Sequence, residues 1–229
     1  MKNILSAGTT NAKTAKNNRP SVILYLAPLA QNSKGINLCP KASSGCAAAC
    51  LFTAGRGAFS NVKNSRIART EYYLSNRPEF LGQILSEINK AAAKVSELAV
   101  RLNGTSDAKI VEQLCQYSIF NNVAISPNVV FYDYTKIYQK AGRKQLPTGH
   151  TYTVTFSRSE VNEPEALQVL NSGGIVAAVF NTLPQYWNGY KVYDGDERDD
   201  IMLDITGPAV LGLKAKGQAK KDTTGFVIK

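Results

Sequence analysis

The sequence predicts a single-domain α/β fold built on a parallel sheet that curls into a complete or partial (β/α) barrel of the TIM type. Three observations lead there. Seven short apolar runs recur along the 229 residues, several of them separated by stretches of helical periodicity. The first run is apolar on both faces, as strands of a buried parallel sheet are. Every later run ends on Asn, Asp, Ser or Lys with more polar residues close behind, so in a barrel these ends would crowd one rim.

Residues 1–20 are polar, rich in Asn, Thr and Lys, and close on Arg19-Pro20. They read as a flexible basic lead-in, which leaves 21–229 as one barrel-like domain. The first strand is 21–27, and a cysteine-bearing loop, 37–57, follows it. Val62, Ile67, Tyr73 and Leu74 then mark an amphipathic helix whose other positions carry Lys63, Arg66 and Arg69. Pro78, at a permitted first-turn position, opens a second helix with Phe80, Ile84 and Ile88 inward. Strand 98–103 ends on Gly104-Thr105-Ser106-Asp107. A helix through Ile110, Val111, Leu114 and Tyr117 leads to strand 128–133, which ends on Tyr134-Thr135-Lys136. A short helix and a turn at Pro147-Thr148-Gly149 precede strand 150–156, which ends on Ser157-Arg158-Ser159-Glu160. Helix 163–170 stops at Gly173-Gly174, and strand 175–180 ends on Asn181-Thr182. Strand 190–193 ends on Asp194-Gly195-Asp196-Glu197-Arg198, and 208–213 ends on Lys214-Ala215-Lys216-Gly217. Taken singly, each polar end is also an ordinary turn former or helix cap. Six of them on a rim shared with three cysteines point to a site.

At 44% hydrophobic residues the chain can bury a full core. It has no apolar run of about 18 residues and its start lacks the long apolar stretch of a signal peptide, so a cytoplasmic protein without a membrane partner is expected. Lys and Arg outnumber Asp and Glu by 27 to 17, a net charge of +10. That favours a polyanionic partner, a nucleotide or nucleic acid. Much of the excess lies at the two ends, where basic tails often only solubilise.

Cys39, Cys46 and Cys50 fall within twelve residues. In a reducing compartment such clustering reads more readily as metal binding or catalysis than as disulfides. Cys46 and Cys50, if helical, share a face, and the Ser43-Ser44-Gly45 turn lets Cys39 fold back towards them. Three soft ligands with an open fourth position suit a [4Fe–4S] cluster. A structural zinc is the alternative and needs a fourth ligand, Cys115 or His150; plain thiols are a third reading. Cys115 stands in an apolar helical stretch and reads as core.

The single histidine excludes a His-hydrophobe-His nickase centre and a His-pair metalloprotease site. His150, at a strand start, belongs on the far rim. Asp107, Asp133 and Asp194 are candidate catalytic carboxylates, for proton transfer or for a hard cation as in two-metal phosphoryl transfer. Lys136, Arg158, Lys214 and Lys216 are candidates to bind phosphate or a cofactor carboxylate. Asn103, Ser157 and Asn181 are candidates to read a ribose or base by hydrogen bonds. A glycine-rich phosphate loop is absent, while Phe52, Phe59, Tyr134 and Trp187 offer rings for stacking.

Asn37-Leu38-Cys39-Pro40, Gly45-Cys46, Cys50-Leu51, Gly55-Arg56-Gly57, Arg101 to Asp107, Phe131 to Lys136, Thr155-Phe156-Ser157, Asp194-Gly195-Asp196, Arg198, Asp200 and Leu213 to Gly217 together resemble the gene product 88 family. The resemblance implies a phage-encoded protein of the host cytoplasm, often labelled a replication initiator. A cysteine triad after the first strand of a barrel is also loosely similar to the radical S-adenosylmethionine enzymes. That similarity implies a [4Fe–4S] cluster with S-adenosylmethionine on its fourth iron. The CX6CX3C spacing departs from that family's CX3CX2C, Ala49 stands before Cys50 in place of an aromatic residue, and no Gly-Gly-Glu follows the second strand. The two similarities imply an iron–sulfur enzyme of phage acting on a nucleotide or nucleic acid. The alternatives are a DNA-binding accessory protein with a structural metal and a carboxylate-metal phosphoryl-transfer enzyme.

Overall fold

Among the described residues the chain forms five α-helices and eleven strands. In chain order they are β1 (Ser6–Ala7), β2 (Ser21–Ile23), β3 (Leu98–Arg101), β4 (Val129–Thr135), β5 (Gly142–Gln145), β6 (Thr151–Ser157), β7 (Ile175–Phe180), β8 (Tyr186–Trp187), β9 (Tyr190–Asp194), β10 (Ala209–Lys214) and β11 (Val227–Ile228). Across the sheet the order is β1-β2-β3-β4-β6-β7-β10-β9-β8, with β5 beside β6 and β11 beside β7. The seven strands β2, β3, β4, β6, β7, β10 and β9 are parallel, and they correspond to the seven apolar runs. The result is one α/β domain on a mostly parallel, mixed sheet. In this computed structural model residues 3–11, 13–50, 52 and 55–229 are described. Met1, Lys2 and Ala12 of the expected lead-in, and Leu51, Thr53 and Ala54 of the expected cysteine loop, lie outside the described residues.

Alternation at period two sends neighbouring residues to opposite faces of each strand. Leu98, Val100, Val129, Phe131, Tyr152 and Val154 face an apolar layer built from the inward sides of α2 (Ser60–Ser75), α3 (Arg77–Ala92) and α4 (Ile110–Phe120). In α3, Pro78 in the first turn, Glu79 beside it and Lys90 in the last turn suit the helix ends, and Phe80, Ile84 and Ile88 are fully buried. Phe156, Val176, Ala178 and Val210 meet α5 (Glu163–Asn171). The opposite face carries Ala99, Tyr132, Ala177 and Leu211, covered by Ile201 and Met202. No helix among the described residues is long and apolar enough to cross a membrane.

The four strands without a strong apolar signal are edge pieces of two to four residues. β5 is Gly-Arg-Lys-Gln and forms because its backbone pairs antiparallel with β6. β8 and β9 make a hairpin whose turn residues, Asn188 and Gly189, both have positive φ, the conformation that an Asn-Gly pair takes most easily. Among the described residues no pairing joins β1 to β8.

Residues 3–11 and 13–20, expected as a flexible lead-in, are instead built into the fold. Ile4 and Leu5 are buried in the main core, and β1 pairs antiparallel with β2. The polar residues are used as anchors. Asn17 Oδ1 accepts from the amides of Asp199 and Asp200, and Lys13 Nζ lies 3.2 Å from Asp199. Arg19 reaches Asp200, Asp204 and Glu97. Asp199 also accepts from Arg101 at 2.9 Å and from the Tyr132 hydroxyl at 3.0 Å. Burial works against ionisation of Asp199, but Arg101 and then Lys13 outweigh it and hold its carboxyl down at about 2.

A carboxyl lowered on folding stabilises the protein above its ordinary range and ceases to do so when protonated. Asp199 therefore contributes about 2 kcal/mol that is lost as pH falls from about 4 through 2. Asp199→Asn is expected to cost about 3–5 kcal/mol at pH 7, since it strands Arg101 and Lys13, and to flatten that acid limb. Urea denaturation across pH measures both.

Candidate functional site at the cysteine loop

The cysteine loop lies over the C-terminal ends of β3, β4 and β6, held there by backbone and carboxylate contacts. The amide of Asp107 donates to the Leu38 carbonyl at 2.8 Å, and the Thr105 hydroxyl donates to the Leu26 carbonyl at 2.6 Å. Cys39 Sγ sits 3.8 Å from the Thr105 carbonyl. The short helix α1 (Ser44–Ala48) follows, with Ser43 as N-cap accepting from the Cys46 amide. Glu160, just past β6, takes bonds from the Gly45 amide and the Ser43 hydroxyl, both at 2.8 Å, and from the Ser44 hydroxyl. Burial works against its ionisation, yet these donors hold its carboxyl below the usual range. Gly45 is required by close packing, because a Cβ there would meet Thr224 Oγ1 at 2.4 Å and Phe226 Cβ at 2.6 Å.

The loop brings its thiols into electrostatic reach of one another. Cys39 is coupled to Cys50 and Cys46, and Cys46 to Cys50. Burial pushes the Cys39 thiol up to about 11 and raises that of Cys46, which Lys136 opposes. Cys46 packs against a small apolar cluster of Ala215, Ala219, Phe226 and Val227. Cys50 Sγ accepts from the Phe52 amide at 3.5 Å and lies in the field of Arg66. Among the described residues no three His, Cys, Asp or Glu side chains converge as the ligands of one metal ion. Cys115 is buried in the core and turned to Thr148 at 3.6 Å, near the start of β6. His150 bonds Thr148 and the Ser126 carbonyl at that same far end.

The other rim residues divide into two groups. Near the cysteines, Asp107 accepts from the Thr135 hydroxyl, the Lys136 amide and Lys140 Nζ. Lys136 lies over the Phe226 ring, with Nζ 3.5 Å from the Ser157 carbonyl. Arg158 is committed to Glu163 and to the carbonyls of Gly225 and Phe226. Further along the sheet, Lys214 pairs with Asp194 and Lys216 with Asp196, at 3.3 and 2.8 Å. Asn181 is exposed, its amide donating to the Ile228 carbonyl. Asn103 and Asp133 are turned inward. The amide and side chain of Asn103 donate to Asp133, Tyr152 adds a third donor, and Asp133 is 1% exposed. The three candidate carboxylates are thus each engaged by their own donors.

Arg66 was expected on the solvated side of its helix and is instead 8% exposed. Its guanidinium lies over the Tyr25 ring at 5.2 Å and the Phe52 ring at 5.6 Å, which offsets part of the cost of burying it. The signal for it was the spacing of Lys63, Arg66 and Arg69 along α2 with no acidic residue before Glu71. Glu160 and Asp199 carried no comparable signal, since their partners lie 115 to 117 and 98 residues away for the loop and for Arg101.

Burial pushes the Asp133 carboxyl up to about 7 against the pull of Arg101 and its three donors. A carboxyl raised on folding contributes stability that is full below about pH 4 and lost as pH climbs to about 7. The advantage of the wild type over Asp133→Asn is therefore expected to shrink by up to about 4 kcal/mol between pH 4 and pH 7, read by denaturant titration at each pH.

Comparison with curated proteins found no match, and comparison with solved structures found none either. The sequence pattern described as gene product 88 matches residues 3–229, cysteine loop and strand ends included, and the chain belongs to the gene product 88 family.

Proposed function

We propose that the cysteine loop and the strand ends beneath it form the working site of a phage iron–sulfur enzyme acting on a nucleotide or nucleic acid, with Cys39, Cys46 and Cys50 holding a [4Fe–4S] cluster. The observation that carries this reading is three thiols coupled to one another beside two cations, Lys136 and Arg66, that have no acidic partner among the described residues. The raised thiols of Cys39 and Cys46 speak against a free nucleophilic thiolate at either, which needs a depressed pKa. Metal ligation supplies the deprotonation itself. A zinc ion gathers its ligands about 2.3 Å from one point, whereas a cluster spreads its thiolates over separate irons. Thiols that are coupled without converging suit the cluster.

When bound, the cluster would supply one-electron chemistry, with S-adenosylmethionine the candidate co-substrate at the open iron. The chain's own residues do the holding. Glu160 and Ser43 set the direction of α1, and Asp107 fixes the Lys136 backbone and, with it, the ammonium opposite Cys46. Lys136 and Arg66 offset the negative charge of ligated thiolates. The same reading takes the sheet as a partial barrel. Its support is the set of ion pairs from Lys13 and Arg19, ahead of β2, to Asp199, Asp200 and Asp204, beyond β9.

The charge of +10 favours a second reading, a DNA-associated accessory protein whose metal is structural. Anaerobic purification with iron, acid-labile sulfide and zinc analysis separates the two. The cluster reading expects a brown protein with about four irons per chain, and Cys46→Ser or Cys50→Ser cutting iron by more than about half. A colourless protein with stoichiometric zinc and steeply salt-dependent DNA binding turns the assignment to the second.

A further inference from the structure

α2 sets Lys63, Arg66 and Arg69 three residues apart, so all three fall along one side of the helix. None of them is in an ion pair among the described residues. Arg66 is more than nine-tenths buried, and its Nε and Nη1 have no hydrogen-bond partner there; Arg69 Nε is likewise buried and unpartnered. The rings of Tyr25 and Phe52 cover the faces of the Arg66 guanidinium, and Lys63 lies over Phe52 at 5.8 Å. Stacking satisfies the faces of a guanidinium and leaves its edge N–H groups unmet. Glu71 accepts from Ser33, and Glu87 takes its hydrogen bonds from the amides of Ile4 and Leu5, so that it reaches Arg69 only through its field. Buried charge without a partner is costly, and cations set side by side repel. Burial lowers the pKa of both arginines; at Arg66 the neighbouring Arg69 adds repulsion, while at Arg69 the Glu87 carboxylate offsets part of the shift.

Resting on the reading of the cysteine loop as the working site, we propose that Lys63, Arg66 and Arg69 form a phosphate-binding subsite beside Cys50. Its occupant is the phosphate group of a nucleotide-class substrate. Three cations within two helical turns match a multiply charged anion better than a single carboxylate. A guanidinium presents its N–H edge to phosphate oxygens in the geometry such recognition uses. The position, against the loop that carries the cysteines, would set the phosphate at the border of the site with the rest of the substrate towards the thiols.

Calorimetric titration of the full-length protein with inorganic pyrophosphate tests this, with iron content read on the same samples. Wild type is expected to bind, Arg66→Gln to weaken binding at least about tenfold, Arg69→Gln severalfold, and Lys90→Gln on α3 not at all. Because Arg66→Gln removes a buried charge that has no ion pair among the described residues, the melting temperature of the iron-free variant is expected to be no lower than that of iron-free wild type, whereas a purely structural arginine would lower it. Absence of binding by wild type, or an equal loss in Lys90→Gln, overturns the proposal. So does a loss of iron in Arg66→Gln with pyrophosphate affinity unchanged, which would make Arg66 a counter-charge to the cluster alone. If Arg66→Gln does not fold, Arg69→Gln decides. Iron-free protein that binds pyrophosphate through Arg66 removes the cluster and keeps the subsite; iron-loaded protein that ignores pyrophosphate does the reverse.

Discussion

The junction between β6 and β7 is the constraint on which the rest of the molecule depends. The two halves of the sheet meet through only two residue pairs, Phe156 with Val176 and Ser157 with Ala177. Ahead of that contact β6 is free to pair with β5, and beyond it β7 takes β11 on the same side. The strands therefore splay from a short seam. β11 arrives from the far end of the chain to fill the gap at the C-terminal end, and Phe226 beside it is the surface on which Cys46 packs. Arg158, leaving β6 at the seam, bonds the carbonyls of Gly225 and Phe226, and Glu160, two residues further, holds α1. The seam thus determines where the cysteine loop can sit.

Buried charge in this fold is of two kinds. Around Asp199 the charges are paired: Lys13, Arg101 and Tyr132 meet the carboxylate, and Asn17 meets its amide. That network joins the N-terminal segment to the loop after β9 and has an evident structural use. Along α2, Lys63, Arg66 and Arg69 are in no ion pair among the described residues, and Arg66 lies against aromatic rings and a thiol. Natural chains retain such an unfavourable arrangement where binding or catalysis needs it. The lysines near the end of β10, which look equally free in the sequence, are neutralised by Asp194 and Asp196.

What could be read without coordinates was whatever depends on local pattern. Alternation and apolar content marked all seven parallel strands. Phe80, Ile84 and Ile88 marked the buried side of α3 because the core sees one side of a helix at a spacing of about four. The short strands β1, β5, β8 and β11 escaped, since two to four residues that pair at an edge need no apolar signature. The lead-in escaped for a related reason. Its Asn, Lys and Arg side chains look like those of a disordered tail until the acids of residues 199–204 are brought to them.

By itself, then, the sequence determined the seven parallel strands, the α/β class and the gathering of three thiols into one loop, all properties carried by residues within a dozen positions of each other. Tertiary structure decided the strand order that sets β10 between β7 and β9, the inward turn of Asn103 and Asp133, and the pairing of the rim lysines with Asp194 and Asp196. It also decided which cations are left without an ion pair among the described residues. These outcomes depend on partners far apart in the chain, and a charge is matched or unmatched only once the fold has chosen its neighbours.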